Sequence, residues 1–98
     1  MILRRRFADV ISRQLDVFAE DEAQGLLAEA GEMKQRYDAA SREGAEEAYG
    51  DYVDVVDAVK DALAEMRDRF ASTLDDDAAE AYAAAFEHAA RKRWRWLG

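Results

Sequence analysis

His88 is the only histidine in the chain, and it stands directly beside Glu87. A carboxylate-bridged metal centre inside a helical bundle needs Glu and His three residues apart, so that both side chains leave one helix face and enter the core. Adjacent residues diverge by about 100° on a helix, so Glu87-His88 does not meet that requirement. With a single His and no Cys, the chain lacks the ligand set of a zinc site. Ser12, Ser41, Ser72 and Thr73 have no base close by in sequence, and a hydroxyl nucleophile needs one. No Gly-rich phosphate loop, His-Glu-x-x-His pair or calcium-binding loop is present. The expectation is therefore a non-enzymatic protein without cofactor or metal. His88, two residues beyond Phe86, is expected at the surface.

The residue types that stand out are those of binding. Trp94 and Trp96 lie within Arg91-Lys92-Arg93-Trp94-Arg95-Trp96-Leu97, and Trp and Arg are enriched at interface hot spots. Positions two apart on a helix differ by about 200°, so a continuing helix cannot turn both indoles to one core. Three readings follow: the helix frays and both rings fold back on the bundle, one indole stays out as an anchor for a partner, or the segment touches an anionic membrane surface. Arg4, Arg5 and Arg6 form a second basic cluster at a helix start, where the macrodipole disfavours cations. In an up-down four-helix bundle both termini share one end, which would merge these clusters into one patch. The partner-binding set is accordingly Arg4, Arg5, Arg6, Arg91, Lys92, Arg93, Trp94, Arg95 and Trp96.

Charge narrows the partner. The formal net charge is −8, yet residues 7–90 hold all 22 carboxylates and half of the 14 cations. An acidic middle argues against general nucleic-acid binding, which depends on clustered cations. It leaves a nucleic-acid- or ribosome-associated role through the basic ends as the alternative to a protein partner. Glu47, Asp54, Asp57, Asp61 and Asp68 are spaced to share one helix face. That stripe is a solvated face, or a surface for a basic partner or for self-association with the basic end.

These residues must be positioned by helices. Ala, Leu, Glu and Arg dominate and Pro is absent, a mixture that favours helix over strand. Phe7, Val10, Ile11, Leu15 and Phe18 mark a first helix from Leu3 to Phe18. Asp21 and Gln24 have the spacing of a capping box and set a boundary near Glu20-Asp21. Leu26, Ala30, Met33, Tyr37 and Ala40 mark a second helix to Arg42, with Gly44 expected to close it in a left-handed conformation. Ala45, Tyr49, Tyr52, Val56, Val59, Leu63, Met66 and Phe70 step by four and three along a third helix ending at Ala71. Ser72-Thr73-Leu74-Asp75 separates it from a fourth, which starts with three Asp and turns Ala79, Tyr82, Phe86, Ala89 and Ala90 inward.

The expected fold is all-α: a single domain over residues 1–98, an antiparallel bundle of four helices with a coiled-coil-like seam. The alternative is three helices with one long continuous central helix, because Tyr37, Ser41, Ala45 and Tyr49 keep a four-residue step across Gly44. The third helix outlasts the first, so part of its seam is left for a second copy. A homodimer through Tyr37, Tyr49 and Tyr52 is expected. No apolar run reaches the roughly 20 residues of a membrane span, and no apolar stretch follows the basic N-terminus. A cytoplasmic protein is the expectation.

Overall fold

A computed structural model describes residues 2–22 and 24–98, with side chains described for residues 6–20 and 25–98. Four α-helices follow one another: α1 (Ile2–Val17), α2 (Gln24–Ala39), α3 (Ala45–Ala71) and α4 (Asp76–Arg93). A π-helical turn at Phe18–Glu22 joins α1 to α2, and a 3-10 turn at Arg95–Leu97 follows α4. There is no strand among the described residues, and no helix is long and apolar enough to cross a membrane. The side chains of Arg4 and Arg5, and of the Asp21–Gln24 cap, lie outside the described set.

The third helix is separate from the second, so the continuous central rod does not form. Five residues, 40–44, turn the chain. Gly44 precedes α3 at φ −93°, ψ −8°, an ordinary right-handed conformation. This corrects the expected left-handed stop: Ala40 and Gly44 close the turn by donating N–H groups to the carbonyls of Tyr37 and Ser41. The α3–α4 boundary lies where expected. The hydroxyls of Ser72 and Thr73 donate to the carbonyls of Arg69 and Phe70, each at 2.7 Å, adding side-chain donors to the last carbonyls of the helix. Asp75 caps α4 by accepting from the Ala78 N–H at 2.9 Å, and Asp76 and Asp77 occupy the first turn, where the dipole favours them.

Pairwise contacts set the helix directions. Phe70 meets Tyr82 with ring centres 4.7 Å apart, and Arg67 meets Glu87 at 2.6 Å, so α3 and α4 are antiparallel. Tyr37 meets Tyr49 at 5.3 Å across the antiparallel α2–α3 hairpin. Phe7 meets Tyr82 at 5.5 Å, Asp16 meets Arg93 at 2.7 Å and Phe18 meets Trp94 at 5.7 Å, so α1 and α4 run parallel. The cause is the π-helical turn: it carries the chain onward rather than back, so that α1 and α2 follow one direction and both oppose α3. The shape is long, 50 × 23 × 19 Å.

One end of this shape is a packed body. Phe7, Ile11, Leu15 and Phe18 from α1, Val59 and Leu63 from α3, and Tyr82, Phe86 and Ala90 from α4 share its core with Leu97. Met66 and Phe70 are half-buried at its edge. The other end is an arm of α2 and the start of α3 alone. Between Ala30 and Val55 no residue is fully buried. The heptad seam of α3 is thus core in one half and arm in the other.

Candidate interaction surfaces

The basic C-terminal segment breaks its helix where two tryptophans would otherwise diverge. At Trp94 the backbone leaves the helix, at φ −123° and ψ 84°, and a 3-10 turn follows. The change in path lets both indoles face the protein. Trp94 packs on Phe18, and Trp96 borders a cleft of about 350 Å³ with Leu27, Ala30, Gly31, Lys34 and Tyr52. Both rings are half-buried, and Leu97 beside them is buried. The reading in which both rings fold back is the one that the geometry follows. The structure also joins Trp96 to Tyr52, two residues that sequence spacing had put in separate surfaces.

The cations around them differ in their bonds. Arg93 lies over the Trp94 ring at 5.2 Å and donates from Nη1 to Asp16 at 2.7 Å. Arg91, Lys92 and Arg95 are exposed and have no ion-pair partner among the described residues. Of the N-terminal cluster, Arg6 is the described side chain, and it lies elsewhere. Arg6 sits over the Phe7 ring and beside Asp75, Asp76 and Asp77 at the start of α4. Arg91 to Arg95 occupy the far end of that helix, about 27 Å away for 18 residues. Among the described side chains the expected single basic patch is therefore divided: because α1 and α4 run parallel, Arg6 lies beside carboxylates and apart from the C-terminal cations.

Between α1 and α4 an open groove of about 580 Å³ runs along the body. Its floor is Ile11 and Leu15, both buried. Its sides are Ala8 and Ser12 on α1 and Ala81, Ala85 and Ala89 on α4, with His88 and Lys92 toward the basic end. Small side chains at these positions leave two helix backbones bordering a shallow apolar trough. Sequence reasoning missed this feature. Its signal was the alanine content of Ala78 to Ala90, which leaves several faces of α4 without bulk.

On the arm, Tyr49 is 52% exposed and Tyr37 37%, while Tyr52 is half-buried. Lys34 donates to both oxygens of Asp38 at 2.7–2.8 Å, which raises its pKa. Glu47, Asp54, Asp57, Asp61 and Asp68 are all exposed; Asp68 accepts from Arg67 at 2.9 Å. No group of three or more acidic or histidine side chains lies close enough to hold a metal ion among the described residues. No protein-family model, curated protein or solved structure matches the chain.

Proposed function

We propose that the protein is a non-enzymatic helical interaction module that self-associates and docks an acidic helix of a protein partner along the α1–α4 groove. The observation that carries this reading is the groove itself: an apolar floor, alanine sides and, at one end, Lys92, unpaired among the described residues, beside Arg93, which is paired with Asp16. An amphipathic helix laid in such a groove buries its apolar stripe and keeps its polar face in water. Lys92 would meet a carboxylate on that helix and fix its direction, a contribution to specificity and encounter rate more than to affinity. The nucleic-acid alternative draws less support. Phosphate affinity rises with the number of cations engaged at once, and Arg6 lies apart from the C-terminal group.

Titration of the ¹⁵N-labelled protein tests the reading with three probes: an amphipathic helical peptide with Glu on its polar face, its Lys-faced counterpart, and a short DNA duplex. The acidic peptide should shift the amides of residues 8–15 and 81–92, and the shifts should weaken with added salt. Absence of those shifts with the acidic peptide, or tighter binding of the duplex at the same residues, would refute it.

A further inference from the structure

The groove and the arm of one molecule are complementary. The arm, residues 33–54, holds six carboxylates and three cations, one of which, Lys34, is already paired with Asp38. Residues 88–98 hold four cations and no acidic side chain; of these, Lys92 lines the groove without an ion-pair partner among the described residues, and Arg93 lines it paired with Asp16. The arm also offers what an alanine trough lacks. Tyr37 and Tyr49 stand partly out of the surface with their rings 5.3 Å apart, and Tyr supplies contact area at low entropic cost. Lengths agree as well: the stretch of α3 before Val55 extends about 15 Å, and the α4 side of the groove from Ala81 to Lys92 about 17 Å.

We propose that a second copy of this chain fills the groove, with the acidic α2–α3 arm of each molecule lying between α1 and α4 of the other about a two-fold axis. The inference rests on the proposed use of the groove and names its occupant. Body and arm occupy opposite ends of a 50 Å molecule, so two copies side by side and antiparallel bring each arm to the partner's body. The contact is made twice and closes, as a two-fold interface must. Arm-to-arm pairing would instead set two acidic surfaces face to face.

The chain has no cysteine, so single cysteines report the contact directly. Glu46→Cys on the arm and Ala84→Cys beside the groove are both exposed positions. After mixing the two variants, a short bismaleimide should join one of each into a covalent dimer, with far less product from either variant alone. Wild-type protein at micromolar concentration should sediment at about twice 11.1 kDa. The double variant Arg91→Glu, Lys92→Glu, which breaks no ion pair among the described residues, should sediment as a monomer with unchanged helical circular dichroism. A wild-type monomer, a dimer unaffected by the double variant, or equal cross-linking within Glu46→Cys alone would overturn the proposal. If the acidic peptide still binds the groove in that event, only the identity of the occupant falls; if it does not, the groove reading falls too.

Discussion

Tyr82 offers the sharpest test of the core, because one atom can be removed without disturbing its shape. The side chain is wholly buried, between Phe7, Phe70 and Phe86, and its hydroxyl donates to Gln14 Oε1 at 2.7 Å. Tyr82→Phe keeps the ring contacts and deletes the bond. A neutral hydrogen bond contributes about 0.5–1.5 kcal/mol net. Gln14 is only half-buried, so water can replace its lost donor and the cost should stay near the middle of that range. A loss of about 1 kcal/mol lowers the melting temperature of a domain this size by roughly 4–8 °C. The pH dependence gives a second reading. Burial raises the pKa of Tyr82 above the ordinary phenol value. Its contribution is fully present below the unfolded-state pKa, about 10, and is lost as pH rises through the higher folded-state value. The Phe variant lacks this group. Thermal and urea unfolding should therefore show the advantage of the wild type shrinking as pH climbs above about 10. Equal stability at neutral pH, or a gap that does not change under alkaline conditions, would refute the assigned environment.

Two further perturbations separate body from arm. Leu63, 4% exposed in the body core, should cost about 2–5 kcal/mol when replaced by Ala, and a loss below about 0.5 kcal/mol in urea unfolding would show that this face of α3 is not packed. Gly50 lies inside α3 on the arm with open space where a Cβ would go, so Gly50→Ala should raise stability by roughly 0.5–1 kcal/mol, and destabilisation would mean that its surroundings are not open.

Much of the core was legible because helical periodicity reports burial directly. Phe7, Ile11, Leu15 and Phe18 are spaced for one face, and all four are buried. Val56, Val59 and Leu63 follow the same rule on α3. Val55 does not lie on that seam, yet it too is buried. The start of α4 was equally readable from its three consecutive Asp, the first of which the structure shows as the cap. Chain direction was not readable in this way. A polar break near Glu20 marks where one helix ends, but whether the chain then reverses depends on what the next helix covers. Here the π-helical turn carries α2 onward, and that one local choice makes α1 parallel to α4 and separates Arg6 from the C-terminal cations. The tryptophans show the same limit at smaller scale. The 200° offset holds only while the α-helix continues, and the backbone change at Trp94 removes the premise.

The division into body and arm also bears on where binding is to be sought. Most of a helix's stability in a protein comes from the tertiary packing of its apolar face, not from propensity. The body has that packing on three helices, whereas α2 contributes only Ala30 to the buried set among the described residues. Segments with few buried contacts open at low free energy, and binding elements are drawn from them. The arm combines that low burial with partly exposed tyrosines and a surplus of carboxylates, while the groove combines a rigid apolar floor with cations. A weakly buried acidic element and a packed trough with Lys92 at one end make a natural pair. In that pairing the arm gains a third helical surface, because α4 ends at Arg93 and Trp96 borders the hairpin at Leu27, Ala30 and Tyr52.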